Sequence, residues 1–515
     1  MVTFSKHNRI NPIASLRTGR LALVTHEGGR GQAADLESEL FLMAATYLAG
    51  EDSFYERAED REQRFVDLVA RTVASNPEFV ARLAPYLRNE LKIRSASIIL
   101  AAEYVAAGGE RGRRVIDAVL QRGDEPAEMI GYWHSRHGRR LPMAVKRGVA
   151  DAATRLYTER AALRYDGLSR GVRMADVIEL THPKPRDACQ SALFAWLLDR
   201  RHHDDAVADA DVLPVLAAAE NLAKVPVEER RAELAARGPR ALAEAGTSWE
   251  RLSGWLPDGM DAEAWESVIP SMGAMALIRN LRNFDERGIS DAAISTVLDR
   301  ITDADEVAKA RLFPYQVWAA YSHAPSDDWK RALGRTLDLT TRNVPSLDRT
   351  LVVIDMSGSM QARVANRSVM TRVEVAAVMA AVTATRSNDA DVVIFGHSNR
   401  AVRIRKGASV LGVVADLVSM VGSVGHSTYG HTAVAAHFDR RRHDRVVMFT
   451  DDQMHDSGSV SLSHVPLIYT VDLAGYRPRS MPSGGRGRYT LAGFSDATFS
   501  LMRTLEQGRD ADWPF

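Results

Sequence analysis

Three residues at alternate positions, Asp355, Ser357 and Ser359, follow the apolar run LVVI in the stretch LVVIDMSGSM. A carboxylate and two hydroxyls at period two can turn their oxygens to one side of a loop. Hard oxygens of this kind suit a hard cation such as Mg2+. Magnesium takes six ligands, so other loops must supply more. Thr432, opening the helix predicted after STYGHT, and Asp451, ending the run VVMFTD, are the candidates. The same segment also suits a plain Asp/Ser turn whose oxygens cap the next helix. A phosphatase reading would want a second aspartate where Ser357 stands, and no G-x-x-x-x-G-K-[ST] loop occurs. No general base pairs with a nucleophile, so the chain reads as non-enzymatic. A metal-dependent hydrolase using Asp355 with Asp451 or Asp452 is a minor alternative.

The second group with chemical potential is basic. Arg139, Arg140, Lys146 and Arg147 lie in one short stretch. Seven residues, two helical turns, separate Arg139 from Lys146 and Arg140 from Arg147. Each pair is therefore expected to share a helix face and to form a stripe able to meet phosphates, with guanidinium groups suited to bidentate contact. Solvated helix faces carry such charges too. RRRHDR at 440–445 reads as a solvated helix end and RIRK at 403–406 as a charge-protected edge strand. Tyr132 and Trp133 read as core packing rather than stacking platforms.

Two kinds of element must position these groups. From about 35 to 341 the apolar residues recur at three- and four-residue intervals, as in LESELFLMAATYLAG, EQRFVDLVARTVA and ISDAAISTVLDRI. Many helices with short breaks predict stacked pairs of the HEAT or armadillo kind, irregular because no strict period is found. Near 342 the grammar changes. TRNVPSLDRT reads as a linker, and TLVVID, ADVVIFG, AVRIRK, DRVVMFTD and PLIYTVDL are short β-branched runs alternating with helical patterns. That alternation predicts a doubly wound α/β domain, whose ligands sit at the carboxyl ends of the strands. Asp355 lies just past such an end. The expected domains are 1–346 and 347–515.

Length and composition fit this division. The 515 residues exceed one ordinary core, and 45% hydrophobic with 26% charged residues is globular. Lys+Arg and Asp+Glu are 66 each, so net charge announces no nucleic-acid partner, and any such partner must use local patches. A single cysteine, Cys189, excludes an internal disulfide and fits a cytoplasmic compartment. The start, MVTFSKHNRI, lacks the apolar core of a secretory signal. No apolar run approaches the roughly 20 residues a membrane span requires, and SIILAAEYVAAGG reads as a buried helix.

D-x-S-x-S after the first strand, a threonine in a middle loop and an aspartate after a later strand resemble the von Willebrand factor A domain and its metal-ion-dependent adhesion site. The resemblance implies that Asp355, Ser357, Ser359, Thr432 and Asp451 hold a divalent cation, Mg2+ by the chemistry of the donors, with one position open to an acidic group from a partner. This chain departs from the pattern at Asp452, where the family often has glycine, and at Gly430-His431-Thr432, where it often has Gly-Gly-Thr. The extra carboxylate at 452 is expected to alter metal affinity or ligand preference.

The helical half resembles the TROVE domain family, that of the Ro autoantigen and its bacterial relatives. THEGGRG, GRRLPMAVKRGVADAATRLY, VIELTHPKP, MGAMALIRNLRNF and ARLFPYQVWAA carry the likeness, in that order and before the von Willebrand A pattern. It implies a ring of helical repeats that binds small structured Y RNA outside and 3′ single-stranded ends of misfolded RNA in a central hole. It also implies work in RNA quality control beside an exoribonuclease or RNA-repair protein. The segments put RNA contacts at Arg164, Arg170, His182 and Lys184, with Arg279, Arg282 and Asn283 on the Leu-Arg-Asn helix. A monomer is expected. The competing reading is a metal-dependent protein–protein adaptor on a helical scaffold.

Overall fold

The computed structural model describes residues 36–46, 58–167, 170–203, 206–342, 344–364, 368–405, 407–476, 480–481, 487–492 and 496–507. The THEGGRG segment and Lys406 lie outside them. Helices occupy the described chain up to Thr340, and a mixed six-stranded sheet follows. The described residues fall into two compact units. One gathers those within Met1–Ala107, Leu312–Ser322 and Leu337–Phe515, the other those within Gly108–Arg311 and His323–Thr336. The change of sequence grammar near 346 and the division into compact units are therefore different boundaries: the first helices group with the sheet.

In the helical unit, polar residues start the helices as capping chemistry requires. Thr158, Asp187, Ser248, Asp261, Ser290 and Asp303 each accept a hydrogen bond from a first-turn N–H. Helix Gly112–Val119 packs on Met143–Leu156, which packs on Met174–Thr181. Gly148 permits the first of these approaches, since a Cβ there would lie 2.7 Å from the Arg113 carbonyl oxygen. Tyr132 and Trp133 are buried, as their core reading requires.

The sheet has order β3-β2-β1-β4-β5-β6, with β1 Thr350–Asp355, β2 Ala390–Phe395, β3 Asn399–Val402, β4 Arg445–Thr450, β5 Ile468–Asp472 and β6 Arg488–Ala492. All neighbours are parallel except β2 and β3. The edge strand stops at Val402, so Arg403–Arg405 lie beyond it, and residues 440–444 form a turn rather than a helix end. Leu351, Val353, Val393, Phe395, Val446, Met448 and Ile468 build the core of one face with Ala433, Val434 and Met454. Helix Arg372–Arg386, almost wholly buried, covers β1. Strand order reverses its lateral progression between β1 and β4, the switch point where such sheets open a crevice. Helix Ser95–Ala106 is buried along most of its length, Glu103 included.

Candidate metal centre and nucleic-acid surface

Backbone geometry brings the oxygen donors of β1 and β4 together. Asp355 ends β1; its Oδ1 accepts the Ser357 N–H at 2.9 Å and its Oδ2 the Thr450 hydroxyl at 2.6 Å. The hydroxyls of Ser357 and Ser359 lie 3.4 Å apart. Asp451 follows β4 and is fully buried, and neither carboxylate oxygen has a hydrogen-bond partner. Burial and the charge of Asp355 push the Asp451 carboxyl up to about 7, against the opposite pull of Ser359 and Arg372. The Arg372 Nη1 stands 3.8 Å from Asp451 Oδ2.

Glycine chemistry brings in the third loop. A Cβ on Gly396 would lie 2.3 Å from the Gly425 carbonyl oxygen, so only glycine lets that loop close on the end of β2. The next carbonyl, of His426, accepts the Gly358 N–H at 3.0 Å. The loop thus lies against the Asp-x-Ser-x-Ser turn, and Thr428 within it is buried. Thr432 differs from expectation. It is in the first turn of helix Gly430–His437 and exposed, its N–H donated to Asp456 Oδ2 at 2.7 Å. The helix starts two residues before Thr432, which is exposed; Thr428, ahead of that start, is buried and its backbone pairs with His455.

Asp452 is engaged within the fold. Its φ of 59° is left-handed, which explains why glycine is common at this place in the resembled pattern. Its Oδ1 accepts the Ser480 hydroxyl at 2.8 Å and the Met481 N–H at 2.7 Å. That oxygen holds the 480–481 segment. Sequence reasoning missed Asp472, at the end of β5, whose charge also raises Asp451 and whose Oδ1 takes the N–H groups of Ala474 and Gly475 at 2.8 Å. Its signal was available: PLIYTVDL ends its strand in an aspartate as VVMFTD does. Arg372 had no such signal, because its proximity to Asp451 is tertiary.

The donor set tests well against a divalent cation. Two carboxylates and two hydroxyls are hard ligands, and two buried carboxylate oxygens without donors are what a cation would satisfy. Among the described residues no group of three or more His, Cys, Asp or Glu is placed to hold a metal ion, so a cation here would rely on hydroxyls as well. Asp355, Ser357, Ser359 and Asp451 would hold the ion, which would then polarise an acidic group docking on it.

The basic residues form no single stripe. Helix Glu125–His137 ends at Gly138, with φ 84°, and the next helix begins only at Met143. Pro142 caps that start. Arg139 and Arg140 therefore lie in the intervening loop, and the two-turn spacing to Lys146 and Arg147 does not apply. Arg139, Arg140 and Arg147 are exposed and Lys146 half-buried. Lys184 and His182 are exposed in the segment after Met174–Thr181, where His182 takes the left-handed cap at φ 51°. The Lys184 carbonyl accepts the Thr154 hydroxyl at 3.0 Å, which seats this segment on the helix carrying Arg147. Arg147 and Thr154 are seven apart, on one face.

Other basic candidates have internal partners. Arg170 reaches the buried Asp124 at 3.5 Å. Arg282 pairs with Glu286 at 2.6 Å, and Asn283 donates to Asn280 at 2.8 Å, within-helix bonds that compete with a binding role. Arg164 is exposed, with its guanidinium 5.5 Å from the Tyr165 ring; Arg279 is exposed. Among the described residues, Arg139, Arg140, Arg147, Lys184 and Arg279 make no ion pair.

A TROVE domain model matches residues 216–388, and a Ro60 vWA domain model matches residues 349–463. The first range includes the Leu-Arg-Asn helix and the ARLFPYQVWAA segment; the basic stretch at 139–147 and the VIELTHPKP segment precede it. The crystal structure of the Deinococcus radiodurans RO (RSR) protein resembles this chain with a TM-score of 0.65 and 19% identity, over 92% of this chain and 100% of the other. At that identity the likeness is one of fold. No curated protein matches by sequence. No helix among the described residues is long and apolar enough to cross a membrane. Residues 216–388 are thus similar to a TROVE domain and residues 349–463 to a von Willebrand A domain of the Ro60 kind, in that order, within a fold like that of the Deinococcus protein.

Proposed function

We propose that the protein is a Ro-like, non-enzymatic RNA-binding protein. It binds small structured noncoding RNA of the Y type through exposed basic residues, takes up 3′ single-stranded ends of misfolded RNA, and serves RNA quality control in the cytoplasm. The observation that carries this reading is the succession of the two matched domains on one chain. Arg139, Arg140, Arg147, Arg164, His182 and Lys184 are the RNA-binding residues it favours, being exposed. Binding of this kind is electrostatic and weakens with salt, and shape with an unpaired end outweighs sequence. The cation pocket holds Mg2+ and docks an acidic group of a protein partner, an exoribonuclease or RNA-repair protein.

The test is a gel-shift titration at physiological salt. Small hairpin RNAs and structured RNAs with 3′ tails should bind better than polyanion competitors; equal binding ends the proposal. The adaptor reading draws on the buried oxygen pocket itself. Partner capture that survives ribonuclease but is lost in Asp355→Ala would favour it.

A further inference from the structure

We propose that Arg372 is a resident counter-cation of the carboxylate pocket, neutralising Asp451 in the metal-free protein and weakening the binding of a divalent ion there. The inference rests on the metal reading of the pocket. Arg372 is the first residue of helix Arg372–Arg386, within the Thr371–Glu374 capping box. Its N–H donates to the Ala362 carbonyl at 3.0 Å, which ties the helix start to the chain leaving the Asp-x-Ser-x-Ser turn. The residue is 5% exposed, and its guanidinium lies 5.2 Å from the centre of the Tyr476 ring. That ring and the surrounding burial keep the charge beside the pocket.

The separation is the telling feature. An Arg–carboxylate pair that serves only the fold closes to hydrogen-bond distance, commonly as a fork. Here Nη1 stops at 3.8 Å from Asp451 Oδ2, and neither that nitrogen nor either Asp451 oxygen has a hydrogen bond. Such a pair retains Coulomb attraction while leaving the carboxylate lone pairs unspent. A divalent ion binding those lone pairs would meet a fixed positive charge one shell away. A guanidinium cannot escape the conflict by losing its proton, whereas a lysine could. Occupancy then depends on the cation concentration, or on an acidic partner group that offsets the added charge.

The test uses the full chain and Mn2+ as probe, read by calorimetric titration and by Mn2+ electron paramagnetic resonance. Arg372→Gln should bind Mn2+ about tenfold tighter or more, and its metal-free form should melt lower. Arg372→Lys, whose ammonium can shed its proton as the ion binds, should fall between the wild type and Arg372→Gln in Mn2+ affinity. Equal or weaker Mn2+ binding by Arg372→Gln, with wild-type binding intact, overturns the inference and leaves the metal reading standing. Absence of Mn2+ binding in both proteins overturns the metal reading and the inference with it. If Arg372→Gln does not fold alone, refolding in Mn2+ should recover it, and failure to recover counts against the inference.

Discussion

Two fully buried aspartates, one in each compact unit, stand beside an arginine and differ in what the arginine does. Asp166 accepts Arg173 Nη2 at 2.6 Å and the Met174 N–H at 3.0 Å, with Arg200 at 3.5 Å. Asp451 has Arg372 at 3.8 Å and no hydrogen bond. Burying a carboxylate is expensive unless charge and lone pairs are both satisfied. Asp166 meets that condition within the chain and is a structural junction. Asp451 meets only half of it, as the proposed cation site would require. The arithmetic of donors, rather than burial or charge alone, separates a strut from a site.

The largest effect expected from breaking this comparison is at Asp166. Asp166→Ala leaves Arg173, 5% exposed, without its partner and should cost about 3–5 kcal/mol, read as a lowered denaturant midpoint. A cost below about 1 kcal/mol would mean that Asp166 is no structural junction. Next comes Asp451→Asn. Removing a candidate ligand should weaken Mn2+ binding by at least about 100-fold, more than removal of an outer partner does, while gel shifts with hairpin RNA stay unchanged. Retained Mn2+ affinity would show that the pocket is not the cation site.

A smaller effect is expected on the exposed basic residues. Combined replacement of Arg139, Arg140, Arg147 and Lys184 by Ala should lower RNA affinity and flatten its salt dependence, by about one unit of slope for each phosphate no longer engaged. Each single change should shift stability by no more than about 0.5 kcal/mol. An unchanged salt slope would move the RNA surface elsewhere. The smallest concerns His134, held below the ordinary histidine value by burial and by the charge of Arg139. Its native form binds protons less readily than the unfolded chain. Its contribution is therefore complete above the ordinary value and is lost as pH falls through the lowered one. Arg139→Ala should move the imidazole titration upward in an NMR pH series; no movement would place Arg139 too far from the ring to act.

How legible each region was follows from where its information lies. The Asp-x-Ser-x-Ser turn is local, and strand alternation put it at a strand end, so the nearness of Asp355, Ser357 and Ser359 needed no tertiary information. The middle loop is less legible. Two threonines flank the start of one helix, and only the folded chain shows that Thr428 is buried and Thr432 exposed to solvent. The basic stripe is broken for a local reason present in the sequence: Gly138 ends one helix before Arg139 and Pro142 opens the next after Arg140, so the two arginines fall in the loop between.

The sequence by itself determined a helical region followed by an α/β region, the strand ends that carry aspartates, and the resemblance confirmed by the two domain models. These depend on hydrophobic period and on side-chain types at short spacing, which neighbouring residues encode. Tertiary structure alone decided that the first helices group with the sheet, that Asp452 turns an oxygen to Ser480, and that Arg372 reaches Asp451 from a helix start 79 positions before it in the chain. Such pairings arise from packing between segments remote in sequence, where no local pattern records which side chains will meet.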